Sequence, residues 1–179
     1  MSIKFRMLVG AMALALTGGV YAAGEHGGHH GSGGNGAGEP GDASDVSRTV
    51  EVVMYDNYYE PENISVESGE TVRFKVWNDG ALVHEFNIGS AEMHEAHQQE
   101  MQMMVEHGVL KGDHIDHDMM NMDMGDGHSM KHDDPNSVLL EPGESAEIIW
   151  TFTEASDLEF ACNVPGHYQA GMYGDIEFK

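Results

Sequence analysis

The chain has one cysteine among 179 residues, Cys162, so no disulfide can form within it. Basic residues are almost as scarce: eight Lys and Arg stand against 31 Asp and Glu, a formal charge of −23 with histidine neutral. A field of that sign repels nucleic acid and anionic lipid, and it attracts metal cations and basic protein faces. Long apolar runs are missing beyond residue 20. The run at residues 7–20 follows Lys4 and Arg6 and is too short to span a membrane comfortably. With Val20-Tyr21-Ala22 at its end, it reads as a secretory signal peptide over residues 1–22, with cleavage expected after Ala22 and Ala23 as the alternative. No cysteine lies at that point, so no lipid anchor is indicated for the mature form. Loss of Lys4 and Arg6 with the leader reduces eight basic residues to six and brings the formal charge to −25. Such a leader implies the periplasm, where a thiol usually ends in a disulfide; with no partner in the chain, metal ligation is what accounts for Cys162.

Residues 23–48 are polar and Gly-rich, carry His26, His29 and His30, and read as a disordered linker. From residue 49 onward the pattern changes to short, alternating, β-branched segments separated by turn signals. Strands are predicted at 49–55, 64–66, 71–77, 84–88, 137–140, 146–152, 158–162 and 174–178. Many short strands with regular turns imply an all-β sandwich over residues 49–179, long enough for one core. Residues 90–136 interrupt it as an insertion too long for an ordinary strand connection.

One stretch gathers soft ligands: in residues 160–174, Cys162, His167 and Met172 follow a C-x4-H-x4-M spacing. A type 1 copper site needs a thiolate and two imidazoles around the metal with a weak axial thioether, and this loop can supply three of the four. Pro165-Gly166, Gly171 and Gly174 allow the tight turns and close approach that a loop wrapped around an ion requires. The fourth ligand must come from elsewhere, and His84, at the start of the apolar alternation in residues 84–88, is the natural donor. Each of these residues alone would pass for core filler or surface; their joint spacing does not.

These residues resemble those of the cupredoxins, the small blue copper proteins that include plastocyanin, azurin, rusticyanin and auracyanin. The resemblance covers roughly residues 49–179, and the Cys-to-His step is closer to the rusticyanin and auracyanin type than to plastocyanin. It implies a Greek-key β-sandwich, copper cycling between Cu(I) and Cu(II), and His84, Cys162, His167 and Met172 as ligands. One departure is Glu85, where many cupredoxins carry an Asn or Asp that braces the ligand loop.

The insertion has a composition of its own. Residues 91–107 read as a helix with Ser90 as N-cap and Gly108 just past its end. Met93, His97, Met101 and Met104 fall on one face, with His94 nearby; such a stripe either docks the helix on the sandwich or offers metal ligands. Beyond it His114, His117, Met119, Met120, Met122, Met124, His128, Met130 and His132 are interleaved with Asp and Gly without a period. Thioethers suit Cu(I) and imidazoles accept either oxidation state, so the segment resembles the Met/His-rich tracts of exported copper-handling proteins. All fourteen residues are candidate accessory copper ligands.

Three classes of function compete. A periplasmic copper-tolerance protein would bind, buffer or redox-convert excess copper; an electron carrier would use the four ligands alone; an enzyme such as a cuprous oxidase would need more. Multicopper oxidases flank the type 1 cysteine with histidines that feed a trinuclear cluster, whereas Ala161 and Asn163 stand here. His94-Glu-Ala-His97 also lacks the zincin spacing. The ligands in excess of four favour tolerance over electron transfer. Copper ions are the implied partner, together with a basic-faced periplasmic redox or copper-export protein; nucleic acid and a membrane anchor are not implied.

Overall fold

A computed structural model of the chain describes residues 36–122, 130–154 and 156–179. The strands are β1 (Glu39–Pro40), β2 (Arg48–Tyr55), β3 (Tyr58–Glu60), β4 (Ile64–Val66), β5 (Glu70–Asn78), β6 (His84–Gly89), β7 (Ser137–Leu140), β8 (Ser145–Phe152), β9 (Leu158–Ala161) and β10 (Tyr173–Phe178). Helices α1 (Ala91–Glu106) and α2 (His117–Met120) lie between β6 and β7. One sheet runs β1-β8-β5-β2-β3 and the other β4-β10-β9-β6-β7. Parallel pairing of β2 with β5 and of β10 with β4 comes from chain crossings between the two sheets, so the all-β sandwich with a partly helical insertion is the observed architecture.

Alternating side chains of both sheets meet in a core of Val52, Val72, Phe74, Val76, Phe86, Ile88, Trp150, Phe152 and Phe160, all fully buried. Aromatic rings knit it: Tyr59 stands edge-on to Phe86 and Phe160, and Phe74 edge-on to Phe152. Ring pairs in such geometries add about 0.5–1.5 kcal/mol each beyond the area they bury.

Two expectations need correction. The segment read as a linker through residue 48 is packed from Gly36 onward: Ala37 is buried, its carbonyl accepts the Trp150 indole N–H at 2.7 Å, and β1 pairs with β8. A Trp inside a core needs an acceptor for its N–H, and the Gly-rich segment provides it; composition alone could not show that. The histidines of that segment, at 26, 29 and 30, lie outside the described residues, as does the leader. Strand β6 was expected to alternate, but all six of its residues are buried. Helix α1, capped by the Ser90 hydroxyl as predicted, packs against β6 and β9 and covers the sheet face that would otherwise meet water. No helix among the described residues is long and apolar enough to cross a membrane.

A chain that starts at Thr49 leaves the buried Trp150 N–H without its acceptor and one edge of β8 unpaired, with β5 still on its other side. Relative to a chain starting at residue 36 it should lose about 2 kcal/mol of stability, measured by urea unfolding of the two metal-free forms.

Candidate metal centre

Strand register assembles the site. In the antiparallel pairing of β6 with β9, Asn87 faces Ala161; in that of β9 with β10, Tyr173 faces Ala161. Continuing both registers by one or two residues brings Cys162 beside the start of β6 on one side and Met172 on the other. The Cys162 N–H donates to the Met172 carbonyl at 3.1 Å, and the Met172 N–H donates to the His167 carbonyl at 3.0 Å, which closes the ligand loop on itself. Gly171 turns the loop at φ +97°, a left-handed conformation that side chains disfavour.

Cys162 Sγ lies 3.4 Å from His167 Nδ1 and 3.9 Å from His84 Nδ1, and the two imidazole centroids are 4.9 Å apart. Donors about 120° apart, at bond lengths of about 2.0 Å for nitrogen and 2.3 Å for sulfur, would be separated by about 3.7 Å. The spacing fits a soft metal ion between them. Met172 is fully buried at the same end of the sandwich, held there by its backbone bonds to the loop. Of the four residues singled out in the sequence, His84 from β6, Cys162 after β9 and His167 in the following loop bring their ligand atoms together, and the backbone of Met172 is bonded to that of Cys162.

Sequence reasoning missed what holds them. His84 Nε2 is 2.9 Å from Asp56 Oδ1, and Asp56 Oδ1 also accepts the backbone N–H groups of Ala81 and Leu82. The carboxylate selects the tautomer that leaves Nδ1 free toward Cys162. A Cβ at Gly80 would lie 2.6 Å from Asp56 Oδ1 and 2.9 Å from His84 Nε2, so the bond needs glycine there. No spacing rule points to Asp56, which lies 28 residues upstream of the ligand.

Glu85 is the second hidden element. Its backbone N–H donates to Cys162 Sγ at 3.3 Å, and its fully buried carboxylate reaches across to the ligand loop. Oε2 accepts the Asn163 backbone N–H at 3.0 Å and the Asn163 side-chain amide at 2.8 Å. Oε1 accepts the Ser137 hydroxyl at 2.6 Å and lies 2.8 Å from the Nε2 atoms of both His97 and His132. The brace expected of an Asn or Asp is thus made by a glutamate with a longer reach. Burial alone would raise the Glu85 carboxyl, but His97 and His132 outweigh it and hold it well below the ordinary carboxylate range. Burial likewise opposes charge on His97, yet Glu85 and Glu100 raise it to about 10.

The other candidate ligands of the insertion scatter. Met101, Met104 and Met120 are buried members of the hydrophobic core, and Met93, Met119 and Met130 pack partly buried against it. This is the docking role that a helical stripe allows. His94 is buried with Nδ1 3.1 Å from the Asn163 amide. His114 and His117 are exposed beside Asp113 and Glu141, and Met122 is exposed. Met124 and His128 lie outside the described residues.

Protonation suits metal uptake. Burial pushes the Cys162 thiol up to about 12, and burial together with the neighbouring His84 lowers His167 to about 4. Burial also lowers His84, outweighing Asp56. At neutral pH the imidazoles present lone pairs while the thiol must lose its proton to a metal. Where both His84 and His167 are neutral and Cys162 still holds its proton, one proton is released per metal bound, so the dissociation constant should fall about tenfold per pH unit. Metal titrations at pH 7, 7.5 and 8, read on the thiolate absorption of Cys162, check this. Glu85→Gln should cost about 3 kcal/mol by leaving the buried cluster uncompensated, measured by denaturant unfolding of the metal-free protein.

Comparison with known proteins agrees with this geometry. The profile of the family described as "Copper binding proteins, plastocyanin/azurin family" matches residues 47–179. A "Copper-resistant cuproprotein CopI" of Pseudomonas aeruginosa is 54% identical over 136 residues, covering 73% of this chain and 75% of that protein. Its namesake in Rubrivivax gelatinosus is 40% identical over 130 residues, covering 72% of this chain and 65% of the relative. Among solved structures, auracyanin B superposes with a TM-score of 0.57 at 19% identity, covering 79% of this chain and 96% of auracyanin B, a likeness of fold.

Proposed function

Because the chain belongs to the plastocyanin/azurin family of copper-binding proteins, with copper as its cofactor, we propose that it is a periplasmic cupredoxin of copper tolerance, built around a type 1 site of His84, Cys162, His167 and Met172. The observation that carries the site is the convergence of Cys162 Sγ with the Nδ1 atoms of His84 and His167, beside a buried Met172 whose backbone bonds those of Cys162 and His167. Copper bound there supplies a one-electron couple between Cu(I) and Cu(II). The residues contribute rigidity: Asp56 holds His84, the Glu85 N–H donates to the thiolate sulfur, and the carboxylate of Glu85 pins the loop through Asn163. A donor set that is already assembled changes little when its charge changes.

Tolerance is supported by the name of the Pseudomonas aeruginosa relative, which shares more than half of the aligned residues. It is also supported by imidazoles and a thioether beyond the four ligands, with His114, His117 and Met122 exposed on the insertion as accessory copper donors. The leader over residues 1–22 would place the protein in the periplasm, and the acidic surface suits a basic-faced redox or export partner there. A periplasmic electron carrier is the alternative, since the same four ligands would serve it.

Growth separates the two. Cells lacking the protein should become hypersensitive to copper while respiring normally at low copper, and Cys162→Ser should fail to restore full resistance if the redox centre contributes. A respiratory defect at low copper with unchanged resistance would favour the carrier. Growth across a copper series, with oxygen uptake followed at the low end, is the measurement.

A further inference from the structure

The carboxylate of Glu85 faces two ways, and only one of them is explained by bracing the ligand loop. On its far side the Nε2 atoms of His97, from α1, and His132, from the segment before β7, each lie 2.8 Å from Glu85 Oε1 and 3.2 Å from one another. Donors 90° to 109° apart around an ion, with bonds of about 2.0–2.1 Å, are separated by about 2.8–3.4 Å. All three distances fall in that range. Three residues far apart in the sequence thus aim their ligand atoms at one point.

The second nitrogen of His97 sharpens the case. His97 Nδ1 lies 3.1 Å from Glu100 Oε2, and an ionised carboxylate can only accept, so Nδ1 carries the proton. In neutral His97 the lone pair of Nε2 then points at an oxygen lone pair of Glu85 and at the other imidazole. At neutral pH His97 holds a second proton on Nε2, which bridges it to Glu85, and a metal ion at the same point would displace that proton. Carboxylate, imidazole and metal in series is the usual arrangement of a ligating histidine, with the outer carboxylate setting the tautomer. The site also has a way in: His97, Glu100 and Asp134 cluster toward the surface, where Glu100 is half exposed, while the side chains of His132 and Glu85 are 4% and 0% exposed.

We propose that Glu85, His97 and His132 form a second metal site, distinct from that of Cys162, which takes a divalent first-row cation. Two imidazoles and a carboxylate, without thiolate or thioether, favour Cu(II) or Zn(II) over Cu(I), and Cu(II) binds such a set more tightly than Zn(II). The proposal deepens the accessory-copper part of the proposed function, selecting His97 and His132 from the candidates and adding Glu85, which the sequence did not suggest. Glu85 is also the link between the two centres, since its N–H meets Cys162 Sγ and its other oxygen holds Asn163. A cation on Oε1 is therefore felt at the thiolate.

The test uses the full mature chain loaded with Cu(II), freed of loose metal by gel filtration, and examined by metal analysis and electron paramagnetic resonance. The unmutated protein should show, beside the thiolate-bound signal, a second signal of nitrogen- and oxygen-ligated Cu(II). His97→Gln and His132→Gln should each weaken that component at least tenfold, whereas His107→Gln, at an exposed histidine of the same segment that takes no part in either site, should leave it in place. The visible absorption of the Cys162 centre should persist in these variants, which separates loss of the second signal from loss of the first site. An unchanged second signal in both His97→Gln and His132→Gln would overturn the assignment, as would a protein that retains copper at Cys162 only. Should either variant lose the Cys162 absorption as well, anomalous diffraction from crystals of the unmutated protein grown with Zn(II) decides. A peak among Glu85, His97 and His132 supports the site, and its absence means that the cluster holds only a proton. A protein without the Cys162 absorption but with the second signal would instead sink the type 1 reading and leave this one standing.

Discussion

A carboxylate with no exposure to solvent constrains the whole metal-bearing end of this protein. Moving an unpaired carboxylate out of water costs several kcal/mol even after relaxation, so Glu85 persists as an ion only because everything around it donates. Ser137, Asn163 and the imidazoles of His97 and His132 come from β7, the ligand loop, α1 and the segment before β7. Each of these elements is held in place by the need to satisfy one side chain. Since the backbone of the same residue donates to Cys162 Sγ, the geometry of the metal ligands and the docking of the insertion are parts of one hydrogen-bonded unit.

The insertion then has a structural task that its composition conceals. Without α1, the outward face of β6 and β9 would be wet, and Glu85 and Asn87 would be ordinary surface residues. With Met101 and Met104 seated in the core, the helix closes that face and turns it into a low-dielectric interior. Methionine suits the role, because an unbranched thioether fills irregular space between a helix and a twisted sheet. The same residue type that suggested copper binding in the sequence therefore serves in part as packing.

Much of the molecule was legible beforehand. The two-residue period of β2, β5 and β8 announced strands because a sheet buries one face, and the Ser90 cap and Gly108 bounded α1 because helix ends need partners for their free backbone groups. The C-x4-H-x4-M spacing was legible because Cys162, His167 and Met172 lie on one loop, where sequence distance and spatial distance are nearly the same. The short strands β1 and β3 were not, since two or three residues carry no period. The ordered stretch from Gly36 was hidden for another reason: its value to the fold lies in one backbone carbonyl offered to Trp150, and a carbonyl has no sequence signature.

What the sequence by itself determined, then, was the chemistry: one thiol that nothing in the chain can oxidise to a disulfide, the imidazoles and thioethers to ligate beside it, and a strongly acidic surface. Only the tertiary structure decided which histidines face which partners. His84 meets Asp56 across 28 residues, and Glu85 meets His97 and His132 across 12 and 47. These pairings depend on strand register and on how a helix sits against a sheet, where a shift of one residue turns a side chain to the opposite face. Ligand type is a property of residues and can be read along the chain; the coordination sphere is a property of packing and exists only once the sheets have closed.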